Sequence, residues 1–159
     1  MIIGFYNLCN ERKFTLKVLI NKAISWFCAD FKSKFNGKWR EMPSHCEIIF
    51  ENELMFSADL FRNEVRIKRF NPQNSGHWTL ISANCGEIDA EFMSDVLGKK
   101  YDFWALFYFI SGFSLQSKNR WFCSELICAA LQNANCAAVQ GLIPHKTSPK
   151  MLYDILKGV

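Results

Sequence analysis

The 159-residue chain has only three histidines, and none of its seven cysteines stands in a C-x-x-C pair. Zinc sites draw on clusters of both residue types at short spacing, so the pattern argues against a metal centre. No cofactor is expected either. The odd set Cys9, Cys28, Cys46, Cys85, Cys123, Cys128 and Cys136 does not read as a disulfide framework and suits free thiols in a reducing compartment. Long apolar runs are missing too. The longest, Phe103 to Ile110, is far too short to span a bilayer. Gly4 and Asn7 followed by Glu11, Arg12 and Lys13 lack the basic-then-apolar order of a signal peptide. There is no internal repeat, low-complexity tract or dividing linker. These absences predict one cytoplasmic domain over residues 1–159.

Half of the residues are hydrophobic and 21% are charged, so the chain should fold rather than stay disordered. Its 15 phenylalanines predict a heavily aromatic core or an apolar pocket. The net charge of +4 is mild. Lys and Arg gather between Glu11 and Arg40, but Lys13, Lys17, Lys22, Lys32 and Lys34 lack the aromatic interleaving of a nucleic-acid site. A solvated helix face fits them better, and no specific nucleic-acid partner is expected. Peripheral contact with a membrane or lipid surface stays open, as does the oligomeric state.

Met1 to Leu8 reads as a strand or entry arm. Thr15 can cap a helix to about Phe31, with Leu16, Leu19, Ile20, Ala23, Ile24 and Phe27 facing inward. Ser33 to Pro43 reads as loop, with Gly37 and Pro43 as breakers. Ser44 to Phe50 and Leu54 to Asp59 form a β-hairpin about Glu51 to Glu53. Folding about Asn52 sets His45 opposite Asp59 and Glu47 opposite Ser57, all on one face. Val65 to Phe70 and His77 to Ile81 read as strands, with a turn at Pro72 to Gly76. Ile88 to Leu97 and a segment from Pro149 to Leu156 read as helices, the last opened by Ser148-Pro149. Tyr101 to Leu115 is aromatic almost all round, which suits a buried segment or a groove for an acyl chain.

Trp121 to Leu131, WFCSELICAAL, is the stretch around which the chain is organised. Leu126, Ile127, Ala130, Leu131 and Ala134 recur at helical spacing. Cys123 stands where that helix begins, and the unpaired N–H groups and dipole there favour thiolate over thiol. The bland alternative is a buried structural cysteine. A nucleophilic thiolate needs an imidazole, and a third polar group to hold the ring. His45 is the best placed of the three histidines, with Ser57, Glu47 and Asp59 as possible third members. His77 and His145 lack comparable polar neighbours.

Four motifs in order carry a resemblance: SHCEIIF at Ser44 to Phe50, FSADLFRNEVRI at Phe56 to Ile67, GKKYDF at Gly98 to Phe103 and WFCSEL at Trp121 to Leu126. Together they resemble the circularly permuted branch of the papain-like, NlpC-type cysteine hydrolases, in which the histidine strand precedes the nucleophile helix. The resemblance covers roughly Ser44 to Leu131. It implies an α+β permuted papain-like fold, a small antiparallel sheet or barrel packed against helices that include the nucleophile helix. It assigns Cys123 as nucleophile, His45 as general base and Tyr101 as a neighbouring residue that donates to the oxyanion or positions substrate. The third polar position falls on Ser57, where many relatives carry a carboxylate or amide; Glu47 or Asp59 would substitute. The implied activity is cleavage or transfer at an amide or ester through an acyl-thioester, on a peptide or acyl-bearing substrate. The weak third member keeps a second expectation open, a catalytically inactive binding protein on the same fold.

Overall fold

Alternating apolar residues build the centre of the molecule. In the computed structural model, which describes residues 1–7, 15–29, 31–71, 77–105, 117 and 119–158, they form an open antiparallel sheet. Its strands are β1 (Ile2–Asn7), β2 (Pro43–Ile49), β3 (Leu54–Asp59), β4 (Glu64–Arg69) and β5 (Trp78–Ser82), in spatial order β4-β3-β2-β1-β5. The N-terminal segment therefore lies inside the sheet, paired with β2 on one side and β5 on the other. A second pair is parallel: β6 (Lys100–Tyr101) with β7 (Arg120–Trp121). The class is α+β, as expected.

The helices among the described residues are α1 (Leu16–Cys28), α2 (Phe31–Phe35), α3 (Ala90–Val96), α4 (Cys123–Asn133) and α5 (Pro149–Lys157). Alternation divides the sheet into two faces. Ile3, Phe5, Cys46, Ile48, Phe56, Ala58 and Val65 are buried in a core with Leu126, Ile127, Ala130 and Leu131 of α4 and Leu152 and Leu156 of α5. Burial of an aliphatic side chain of this size contributes roughly 1.5–3 kcal/mol, so this face holds the fold. The opposite face carries Tyr6, His45, Glu47, Met55 and Lys68 and borders a cavity of about 440 Å³.

Helix α1 starts where expected, with Thr15 Oγ1 accepting the Val18 N–H at 3.3 Å. It ends at Cys28, and its inward face differs from the expected one. Val18, Asn21, Ile24 and Ser25 are buried, whereas Leu16 is 72% exposed and Leu19 is exposed. The polar residues decide the rotation: Ser25 Oγ donates to the Met42 carbonyl at 3.1 Å, and Asn21 lines the cavity. The expected loop from Ser33 to Pro43 holds the end of α2 and a 3-10 turn at Lys38–Glu41, entered through left-handed Gly37 at φ 76°. The turn at Pro72 to Gly76 and most of the aromatic segment, residues 106–116, lie outside the described residues. No helix of the described residues is long and apolar enough to cross a membrane.

The hairpin has the expected register where it pairs, at Ile48↔Phe56 and Ile49↔Met55. The consequence drawn from that register does not hold, because the β2–β3 ladder goes no further. From Glu47 back to Pro43, β2 stays paired with β1 alone, while β3 remains paired with β4 through Asp59. This opening between two neighbouring strands positions the site.

Candidate active site

Cys123 is the first residue of α4, and its side chain has no exposed surface. The helix start is fixed twice. Glu125 Oε2 accepts the Phe122 N–H at 3.2 Å, satisfying a donor that the helix leaves unpaired. Ser124 Oγ donates to the Thr147 carbonyl at 2.6 Å, tying the first turn to the segment before α5. Held there, Cys123 interacts with Cys46 and His45 of β2, which act on the acidity of its thiol.

His45 and Glu47 share a strand face, as period-two alternation requires. Glu47 Oε1 lies 2.8 Å from His45 Nε2 and also accepts from Lys68 Nζ at 2.7 Å. With Nε2 engaged, Nδ1 is the ring nitrogen left for Cys123. Lys68 arrives from β4, at a position paired with Met55 of β3. The Glu47 side chain is 1% exposed and that of His45 21%. The histidine lines the cavity, and Trp78 stands edge-on to its ring, with centroids 6.3 Å apart. Gly4 makes room for that indole: a β-carbon there would come within 3.0 Å of the Trp78 ring.

These contacts set the charges. Burial disfavours the Cys123 thiolate, but the Cys46 thiol and backbone N–H, together with the charge and hydrogen bond of His45, outweigh it and lower the thiol to about 5. Burial likewise pulls His45 down, yet the Cys123 thiolate and Glu47 raise it to about 9. Burial pushes Glu47 up; the bonds and charges of His45 and Lys68 prevail and hold it at about 2. Between about pH 5 and 9 the resting pair is thiolate and imidazolium. Cys46 is pushed well above the ordinary thiol range by burial and by the neighbouring thiolate, so it stays protonated and donates.

Tyr101 is also at the sulfur. It is buried, and burial together with the neighbouring Cys123 thiolate raises it so that it stays a phenol. Its ring meets Phe122 and Phe103 edge-on, at 5.8 and 5.3 Å. Four of the five expected site residues, Cys123, His45, Glu47 and Tyr101, thus converge. Ser57 does not. It is buried on β3, and its Oγ has no hydrogen-bond partner among the described residues. Asp59 is committed elsewhere: it accepts from Arg66 Nε at 2.9 Å and from the N–H groups of Phe61 and Arg62. Both were expected beside His45 on the assumption that the hairpin pairs to its end. His77 lines the cavity and packs near Tyr6, and His145 sits in the 3-10 turn Pro144–Lys146.

Two participants went unrecognised in the sequence, Cys46 and Lys68. Cys46 had a signal, since it is next to His45 and opposite in facing. Lys68 had one in its alternation with Arg66, which sets it on the Glu47 face once β4 pairs with β3. No group of three or more His, Cys, Asp or Glu able to hold a metal occurs among the described residues. Compared with protein-family models, curated proteins and solved structures, the chain matches none.

Proposed function

We propose that this chain is a thiol hydrolase or acyltransferase acting on an amide or ester, with a permuted papain-like arrangement of strand histidine before helix cysteine. The observation that carries the reading is the continuous run Lys68–Glu47–His45–Cys123, anchored by the 2.7 and 2.8 Å contacts of Glu47 Oε1. A carboxylate in the third position supports an active site over the inactive alternative, which drew on the weakness of Ser57 there.

The chemistry follows from the resting charges. The Cys123 thiolate attacks the carbonyl carbon of the substrate. The oxyanion that forms meets the Cys123 backbone N–H at the start of α4 and the Tyr101 hydroxyl. His45, already an imidazolium, gives its proton to the departing amine or alkoxide, and the carbon–heteroatom bond breaks to leave an acyl-thioester. Neutral His45 then takes a proton from water or another acceptor nucleophile, which attacks the thioester and releases Cys123 as thiolate. Glu47 keeps the ring in place and stabilises its charge. The cavity beside His45 is lined by Tyr6, Phe61, Phe70 and Trp78 together with Lys17, Asp59, Lys68 and Arg69, which suits a substrate carrying an acyl or aromatic part beside a polar one.

The test is the pH profile of iodoacetamide labelling at Cys123. Labelling should rise through about pH 5 in the wild type. In His45→Ala the midpoint should move toward the free-thiol value of about 8.5. A wild-type midpoint already at that value, unmoved by the histidine variant, would sink the proposal.

A further inference from the structure

The cavity beside His45 holds polar groups that neither the fold nor the proposed reaction uses. Asn21 is the first. It is 6% exposed, lines the cavity, and has no hydrogen-bond partner among the described residues. A buried amide without a partner is costly, and most find one in protein, water or ligand. Ser25, one turn further along α1, is satisfied by the Met42 carbonyl. Turning Asn21 inward is also the choice of helix face that leaves Leu16 and Leu19 exposed.

Lys17 is the second. It stands four residues before Asn21, so the two are neighbours on one face of α1. Its Nζ lies 5.5 Å from the centroid of the Phe61 ring, and both residues line the cavity. The acids that line the same cavity are already taken: Glu47 accepts from Lys68, and Asp59 from Arg66. Among the described residues Lys17 has no carboxylate partner, and neither has Arg69, which also lines the cavity. Two unpaired cations thus border a space whose own acids are neutralised, and the excess charge attracts an anion.

We infer that Lys17 and Asn21 form a recognition site for a carboxylate, and that the substrate carries one on the apolar part that enters the cavity. The second half rests on the proposed reading of Cys123 and His45 as a hydrolase or acyltransferase pair. An ammonium and an amide N–H side by side offer two donors, which match the two oxygens of a carboxylate, and the charge-assisted bond from Lys17 is the stronger. The apolar body of such a ligand meets Phe61, Phe70 and Trp78. The site therefore selects an anionic amphiphile over its neutral isostere.

The experiment titrates the full chain by calorimetry at pH 7 and low ionic strength with octanoate, octanamide and octylphosphonate. Octanoate should bind more tightly than octanamide by roughly tenfold or more, as a hydrogen bond to a charged group implies. In Lys17→Met the two should come within about twofold, whereas Lys17→Arg should keep most of the preference. Asn21→Leu, close in volume but without the amide, should lower the preference by about threefold. Lys17 is exposed, so its variants test the site even if Asn21→Leu impairs folding. Equal affinity for octanoate and octanamide, no saturable binding of octanoate, or a preference that Lys17→Met does not move would overturn the site. Octylphosphonate binding far more tightly than octanoate would overturn carboxylate as its ligand. The substrate half is read from turnover of the p-nitrophenyl esters of octanoate and of suberate, which differ by one terminal carboxylate. The suberate ester should show a KM lower by roughly tenfold, and Lys17→Met should raise it. Equal KM values would overturn that half. Preferential binding of octanoate, with no turnover of either ester above that of Cys123→Ala, would leave the carboxylate site standing and overturn the hydrolase reading on which the substrate rests.

Discussion

Cys123 and Cys128 lie on the same helix, both fully buried, and differ in every property that matters for reactivity. Cys128 is pushed by burial up to about 11, with Cys136 and Glu125 adding to the rise and a hydrogen bond with Thr147 offsetting part of it. Cys123 is brought to about 5 despite its burial. A helix start favours a thiolate by only a fraction of a kcal/mol to about 1 kcal/mol, and the effect fades within one turn. The gap is therefore mostly the work of neighbours: Cys46 and the His45 charge lower one thiol, whereas Cys136 and Glu125 raise the other. The sharpest way to break this comparison is to remove each sulfur. Cys123→Ala should abolish turnover of an activated acyl ester by a factor of roughly 10³ or more while the protein remains folded. Cys128→Ala should leave turnover within about twofold and cost on the order of 1 kcal/mol of stability. Parallel steady-state rates and denaturation curves decide it. Loss of folding in Cys123→Ala would make that cysteine chiefly structural.

Two carboxylates repeat the contrast on neighbouring strands. Asp59 is held below its usual range, against its burial, by Arg66 and by local N–H groups, so its charge serves the β3–β4 connection. Glu47 is spent on His45 and Lys68. Glu47→Gln should therefore lower turnover by two orders of magnitude or more, up to the roughly 10⁴ lost with an imidazole-orienting carboxylate. It also leaves Lys68 without its buried partner, for an expected loss on the order of 3 kcal/mol. The pH dependence has a definite sign. His45 is raised above its ordinary 6.5, so its charged form contributes below that value and is lost as pH rises through about 9. Cys123 is lowered from 9.0, so its thiolate contributes fully above that value and is lost as pH falls through about 5. The Glu47 variant should draw in the alkaline limb and leave the acid limb nearly where it was. Lys68→Met is the milder test. The Glu47 bond to His45 survives, so the rate should fall by less than tenfold, and Lys68→Arg should restore most of it. An unchanged profile in both variants would mean that the run beyond His45 is structural only.

Much of the fold was legible. The hairpin at Ser44 to Asp59, the Thr15 and Ser148 caps and the helix that Cys123 opens all follow from local chemistry. The pairing of His45 with Glu47 was legible for the same reason: two residues apart on a strand means one face. What failed was anything that depended on where a ladder stops. Strand alternation tells which face a side chain takes, but not that β2 pairs with β3 only from Ile48 onward. The inward face of α1 was misjudged for a related reason. A cavity lined by Asn21 lies beside that helix and Ser25 donates to the Met42 carbonyl, while Leu16 is left in solvent.

The smallest expected effect bears on the residue that sequence reasoning favoured. Ser57 lies on the middle strand of the β2–β3–β4 run, paired with Arg66, and its hydroxyl is buried with no partner among the described residues. A hydroxyl that oriented His45 would cost activity when removed. One that is merely buried and unbonded carries a desolvation penalty of about 1–3 kcal/mol, which its removal relieves. Alanine at this position also leaves no large void, since only one atom is lost. Ser57→Ala should thus leave turnover and the labelling midpoint of Cys123 unchanged within twofold, and its denaturation midpoint should hold or rise. A tenfold fall in rate at unchanged stability would return Ser57 to the site, and would mean that the β2–β3 opening closes when substrate binds.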